Sequence, residues 1–169
     1  MKYNSFVVVI AAFVLSGCDS CKTKPDTKDK TPAAITWAIQ NRTQGTTTNL
    51  TGNASYTARL GDDLMITACG EDDGGVKEIV HSSNSSYRCQ AEGIAQQVGP
   101  GLVVPTTVPL GLDDQGRAWK RYCVFINMNL QFNCQAGFSF SSGNAGVSMN
   151  VTNYGNVVAN AGLSINVVQ

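Results

Sequence analysis

Several features that would identify an enzyme or a nucleic-acid-binding protein are absent from this sequence. His81 is the only histidine, so a histidine-based catalytic triad or metal site would depend on one residue. No phosphate-binding loop, dinucleotide-binding fingerprint or nucleophile elbow occurs. Acidic and basic residues number twelve each, with no basic stripe. We therefore expect a protein that is not an enzyme, needs no cofactor and does not bind nucleic acid.

Helical periodicity and long apolar segments are also missing after residue 18. Asn, Thr, Ser, Gly and Val dominate, whereas Glu, Lys and Leu are sparse, and this composition favours strands and turns. Short strand-like segments separated by turn signals predict an all-β domain, a sandwich or a barrel. These segments are residues 35–39, 56–60, 64–69, 76–81, 87–90, 121–132, 138–140, 147–151 and 163–168.

The first eighteen residues have the layout of a secretory signal peptide. Lys2 supplies a positive charge, residues 6–15 form an apolar run, and Leu-Ser-Gly-Cys at residues 15–18 closes it. Ten residues in a helix cover about 15 Å, half of a roughly 30 Å hydrocarbon core, so this run is too short to span a membrane. The closing four residues resemble the bacterial lipobox. That resemblance implies removal of residues 1–17 and lipidation of Cys18.

Lipidation would make the membrane a partner of this protein. In proteins with a lipobox, the cysteine thiol carries a diacylglyceryl group and the new amine is acylated. Several acyl chains, at about 0.8 kcal/mol per buried methylene, make anchoring effectively permanent. The resemblance thus implies a lipid-anchored protein of the bacterial cell envelope. Asp19, directly after Cys18, favours the inner membrane in enteric bacteria, but the choice of membrane stays open. A secretory signal with a chance cysteine is the alternative.

Residues 18–32 are predicted to be the lipidated N-terminus and a flexible tether. Residues 19–32 contain mixed charges and no large apolar side chain, a composition that does not fold alone. The composition changes at Ala33, where the predicted β domain of residues 33–169 begins.

Four cysteines of this domain are disulfide candidates: Cys69, Cys89, Cys123 and Cys134. An exported chain meets an oxidising compartment, and the domain has no CxxC spacing that would favour zinc. Four cysteines allow three connectivities, which the sequence alone cannot separate. We prefer Cys69–Cys89 and Cys123–Cys134, because each bridge then closes the shorter loop. Each would stabilise the fold by roughly 2–4 kcal/mol.

Two segments resemble the bacterial immunoglobulin-like domains of the cell envelope. Residues 61–79 combine a Gly-Asp turn, an alternating strand, an Asp-Gly turn and the sequence Val-Lys-Glu-Ile. Residues 147–167 are similar to the closing hairpin of those domains, with its Gly-Asn turn. Residues 83–136 depart from the pattern. The resemblance implies an immunoglobulin-like β-sandwich in which the turns at residues 71–75 and 153–156 each join consecutive strands.

Apolar residues within these strands predict the core. We expect Leu64, Ile66, Ile79, Phe125 and Ile165 to be buried, because alternate residues of a half-buried strand share one face. Replacing one of them with a charged residue should prevent folding.

Acidic residues occur in pairs or triplets in the predicted turns. Glu71, Asp72 and Asp73, beside two glycines, are the best candidate ligands for Ca²⁺, which takes oxygen ligands from flexible loops. Ordinary turn chemistry is the simpler interpretation, and we expect no bound metal. A glycosidase would need two carboxylates about 5–9.5 Å apart in one cleft, and no such cleft is marked in the sequence.

The function expected from these features is non-catalytic binding or scaffolding in the envelope, with another envelope protein or a glycan as partner. Such functions reside on loops or on a sheet face rather than in a catalytic cleft. An inhibitor of a periplasmic or surface enzyme is the alternative, and the irregular residues 96–118 could supply its rigid loop. A hydrolase is the third possibility.

Overall fold

The chain folds into strands almost throughout. The computed structural model describes residues 19–91, 94–98, 105–134 and 136–169, without the side chains of residues 94–98. The predicted all-β class is confirmed. Besides a short 3₁₀ turn at Asp19–Cys21, the described residues form ten strands: β1 Lys22–Thr23, β2 Ala34–Asn41, β3 Thr46–Thr51, β4 Ala54–Arg59, β5 Asp63–Ala91, β6 Ile94–Val98, β7 Thr106–Pro109, β8 Ala118–Asn129, β9 Ser139–Asn153 and β10 Val158–Val168. No helix in these ranges has the length and apolarity needed to cross a membrane.

Strand β5 belongs to both halves of a single curled sheet. It is 29 residues long and joins segments that the sequence predicts as separate strands. Its first part lies between β2 and β8, with Ile66 opposite Ile39 on one side and Ile126 on the other. Its second part pairs with β9 along its length and with β7 and β6 on the opposite side. Strands β3 and β1 extend the first half, and β10 and β4 extend the second.

Strand β5 changes partners at a bulge formed by residues 72–75. These four residues lie opposite the single Lys120 of β8. Gly75 has a φ of +96°, a conformation that favours glycine. The prediction that residues 71–75 form a turn between consecutive strands is therefore wrong. The Asp-Gly sequence bends one strand sideways instead of reversing the chain.

The predicted closing hairpin is confirmed. Strands β9 and β10 pair antiparallel along ten residue pairs. Asn156 takes a φ of +60° in the turn, and the side-chain oxygen of Asn153 accepts a hydrogen bond from Val157 N at 2.8 Å. A short amide side chain that bonds to nearby backbone is well suited to such a turn.

One hydrophobic core lies between the two halves of the sheet. Four of the five predicted core residues, Leu64, Ile66, Ile79 and Ile165, have no exposed surface. The prediction for Phe125 is wrong, because this side chain is 63% exposed. Its neighbours Val124 and Ile126 occupy the buried face of β8, and successive side chains of a strand point to opposite faces.

Two disulfides are present, but the preferred pairing is wrong. Cys69 bonds to Cys123, and Cys89 bonds to Cys134. Cys69 and Cys123 lie directly opposite each other on β5 and β8, with a Cα–Cα distance of 4.0 Å. Strand register, not the length of the closed loop, therefore decided the connectivity.

Residues 22–32 of the predicted tether lie along the domain, and we call them the strap. Strand β1 pairs with the start of β8. Asp26 N donates to Gly74 O at 2.9 Å, and Lys30 Nζ donates to Gly155 O at 3.2 Å. The strap thus satisfies backbone carbonyls near the bulge and the hairpin turn, which its own composition does not reveal.

The contrast between Leu64 and Phe125 gives a test of the fold. Leu64→Asp should prevent folding, because an unpaired buried charge costs a large part of a typical stability of about 5–15 kcal/mol. Phe125→Asp is the matched control and should change the unfolding free energy by only about 0.5 kcal/mol, as for other exposed sites. Denaturant unfolding followed by circular dichroism measures both. Similar destabilisation by the two substitutions would contradict the assigned faces of β5 and β8.

Candidate functional site

The outward surface of the second half of the sheet is covered by small uncharged polar residues. Strand β9 from Gly143 onward and strand β10 alternate, so their apolar residues enter the core and the residues between them point outward. Cross-strand pairing aligns these outward positions with those of β5 and β4. We call the resulting surface the Ser/Asn face, which comprises Ser82, Asn84, Ser86 of β5, Asn144, Gly146, Ser148, Asn150 of β9, Asn160, Gly162, Ser164, Asn166 of β10, and Ser55 and Thr57 of β4.

Charge is excluded from this face. Residues 122–169, which supply β9 and β10, contain no Asp, Glu, Lys, Arg or His. The flanking charges, Glu78 and Arg88 of β5 and Arg59 of β4, lie beyond the ends of the face. Charged residues usually make up roughly a quarter to a third of a soluble surface, so a neutral area across four strands is unusual. The neutral face could have been predicted from the sequence, because residues 143–168 carry polar residues at nearly every second position and no charge.

A trough runs over the centre of the Ser/Asn face. It encloses about 700 Å³, and its floor lacks side chains at Gly146 and Gly162 on adjacent strands. The Asn84 side chain overhangs the first glycine, since a Cβ built there would come within 2.9 Å of Asn84 Oδ1. Gly162 N donates to Asn53 Oδ1 at 2.8 Å, which holds a second amide at the rim.

Hydrogen-bonding groups line the trough. The hydroxyls of Ser82 and Ser148 bond to each other at 2.7 Å near one end. In the described parts of the chain, the side chains of Asn84 and Asn144 make no protein hydrogen bond. Each amide therefore offers two donors and one acceptor oxygen to a ligand. This arrangement can bind a polar molecule but contains no nucleophile paired with a base.

The candidate calcium ligands diverge in the bulge. Asp73 Oδ1 pairs with Lys120 Nζ at 2.6 Å, and Glu71 pairs with Arg121 at 3.9 Å. Asp72 is buried beside Asn153 instead. A second cavity of about 310 Å³ adjoins these acids. Across the described ranges, no three His, Cys, Asp or Glu side chains are grouped so that they could hold a metal ion.

Asn153 connects the bulge, the strap and the hairpin turn. Its buried Nδ2 donates to Thr31 O at 2.9 Å and to Asp72 Oδ2 at 3.2 Å. Asp72 also accepts a hydrogen bond from Gly74 N at 2.9 Å. Burial raises the pKa of Asp72, and the negative charge of Asp29 acts in the same direction, whereas the bond from Asn153 opposes them. The Asp72 carboxyl therefore helps to hold the bulge in place through its hydrogen bonds to Gly74 and Asn153.

His81 and the irregular loop that contains Asp113 were also considered from the sequence, and in the described residues neither is part of a catalytic site. Burial lowers the pKa of His81, and its imidazole has no hydrogen bond or ion pair within the described residues. In the irregular region, Asp113 accepts hydrogen bonds from the backbone and Nε of Arg117 at 2.8 and 3.0 Å. This ion pair therefore joins two residues of the same short loop. Residues 99–104 of that region and the lipidation candidate Cys18 lie outside the described residues.

Comparison with known proteins does not assign this chain to a family. No family model matches the chain, and no curated protein matches it. Among solved structures, the chain is similar to the crystal structure of Spo0M, a sporulation control protein from Bacillus subtilis, with a TM-score of 0.34 and 9% sequence identity. The match covers 80% of this chain and 50% of that protein, so the chain spans about half of its length. A likeness this slight says nothing about function.

The close approach of the strap to Gly155 gives a second test. A Cβ at this position would overlap the carbonyl oxygen of Asp29, so Gly155→Ala should displace the strap at a cost of about 1–3 kcal/mol. Trypsin should then cleave after Lys28 and Lys30 faster than in the wild type. Gly111→Ala, which meets no atom within 4 Å, is the control. Equal cleavage of both variants would show that the strap does not rest on the turn.

Proposed function

We propose that this chain is a lipid-anchored protein of the bacterial cell envelope that binds a neutral partner through its Ser/Asn face. The observation that carries the proposal is the absence of charge from an outward surface spanning four strands. Edge and surface strands are ordinarily protected by charged side chains, and their omission here leaves a broad, neutral, hydrogen-bonding surface. The proposed role is non-catalytic.

The envelope location is supported by the N-terminal sequence and by the two disulfides. The lipobox-like residues 15–18 favour lipidation at Cys18. The bridges Cys69–Cys123 and Cys89–Cys134 suit an oxidising compartment outside the cytoplasm. The strap begins four residues after Cys18, so the anchored domain would lie close to the membrane surface rather than at the end of a long tether.

The finer fold assignment is also part of the proposal. We assign the domain as an immunoglobulin-like β-sandwich whose central strand runs through both sheets. The closing hairpin of β9 and β10 and the single core between the two halves support this assignment. The sandwich serves as the frame that presents the Ser/Asn face to solvent.

Lipidation is tested by changing the proposed acceptor. Cys18→Ser should abolish metabolic labelling with a fatty acid and move the protein out of the membrane fraction, because the thioether can no longer form. Cys21→Ser, three residues further on, is the matched control and should keep both properties. Unchanged labelling of Cys18→Ser would refute the anchor.

Binding through the Ser/Asn face is tested with a charged substitution. Ser164→Arg places a large cation on the face, whereas Asn49→Arg places one on the exposed surface of β3 in the other half of the sheet. Purified protein carrying Cys18→Ser, so that no lipid anchor contributes, is sedimented with cell-envelope fragments, and bound and free fractions are compared. We expect Ser164→Arg to lower retention about tenfold, equivalent to 1.4 kcal/mol, and Asn49→Arg to leave it unchanged. Retention that is equally insensitive to both would refute the proposed surface.

A further inference from the structure

The lining of the trough disfavours two classes of ligand, charged molecules and strongly apolar ones. A charged ligand would find no opposite charge, since all residues around the trough are Ser, Asn, Gly, Ala, Val or Leu. An aromatic or strongly apolar ligand would meet hydroxyl and amide groups at the rim, and burying these without partners is costly. A neutral molecule rich in hydroxyl groups can satisfy them. We infer that the trough binds a neutral oligosaccharide chain, an inference that rests on the proposed function of the Ser/Asn face.

The position of the trough favours an oligosaccharide over a peptide as its ligand. An extended peptide normally binds at the edge of a sheet, where unpaired backbone groups of the last strand receive it. The trough instead lies over β9 and β10, whose backbone groups are paired on the neighbouring strands. Its available groups are side-chain amides and hydroxyls. Such groups both donate and accept, as the hydroxyls of a sugar do.

The trough has a floor and a rim of suitable chemistry. Gly162 has no side chain, so a sugar ring can approach the backbone of β10 there, whereas the Asn84 side chain overhangs Gly146 on the adjacent strand. The amides of Asn84, Asn144 and Asn53 all line the trough. Asn53 Oδ1 accepts a hydrogen bond from Gly162 N, and its Nδ2 has no protein hydrogen bond within the described residues. A volume of about 700 Å³ lies within the usual range of roughly 300–1,000 Å³ for ligand sites.

Gly162→Val is the substitution that separates binding from folding. A Cβ at this position meets only Asn53 Oδ1, at 3.8 Å, and valine is favoured in strands, so the variant should fold normally. Its side chain would occupy the floor of the trough. Asn49→Val introduces the same side chain on the exposed surface of β3, outside the Ser/Asn face, and is the matched control. Asn84→Ala removes a rim amide without filling the trough.

The experiment uses the full chain in detergent and isothermal titration calorimetry with three probes. These are the β-1,4-linked hexamer of N-acetylglucosamine, the α-1,4-linked hexamer of glucose, and the anionic hexamer of galacturonic acid. We expect at least one neutral hexamer to bind and the anionic one to bind more weakly. Gly162→Val and Asn84→Ala should each weaken binding about tenfold, and Asn49→Val should leave the affinity unchanged.

Three results would overturn the inference. The first is that neither neutral hexamer binds at concentrations up to about 10 mM. The second is that Gly162→Val binds as tightly as the wild type, and the third is a preference for the anionic probe. Thermal unfolding of each variant confirms that a loss of affinity is not a loss of fold. If Ser164→Arg abolishes envelope retention but no sugar binds, the face has another occupant and only this inference fails. If the Cys18→Ser protein is not retained by envelope fragments at all, the proposed function itself fails.

Discussion

The change of partners along β5 is the constraint on which the rest of the structure depends. One strand pairs with β2 and β8 before the bulge and with β9 after it, so both halves of the sheet share a single backbone. Residues 72–75 form the bulge that makes this possible, because the extra residues bend the strand and increase its twist. Without the bulge, the two halves could not close over one core.

A bulge interrupts the hydrogen-bond ladder, and the strap donates hydrogen bonds to two of the bulge carbonyls. Thr23 Oγ1 donates to Asp73 O at 2.9 Å, and Asp26 N donates to Gly74 O at the same distance. The side chain of Asn153 then links Thr31 to the buried carboxyl of Asp72. Removing a partner from such a buried network leaves polar groups unsatisfied at about 1–3 kcal/mol each. The strap is therefore part of the folded domain in energetic terms, although its composition is that of a linker.

The two faces of β9 and β10 serve different purposes. Inward residues such as Val151 and Ile165 are fully buried and stabilise the core. The outward Ser, Asn and Gly residues contribute little to packing, so their uniform neutrality needs another explanation. The binding function proposed for the Ser/Asn face would account for this neutrality. The same alternation that built the core also created the continuous Ser/Asn face.

The sequence by itself determined the all-β class, the hairpin at residues 153–156 and four core residues, because these depend on local alternation and turn chemistry. It did not determine the path of β5, since an Asp-Gly pair such as residues 73–74 suits a bulge as well as a reversal. The disulfide partner of Cys69 and the outward position of Phe125 depend on strand register, which only long-range pairing sets. The trough likewise depends on register, which places Gly162 opposite Ser148 and Gly146 opposite Ser164 on two adjacent strands.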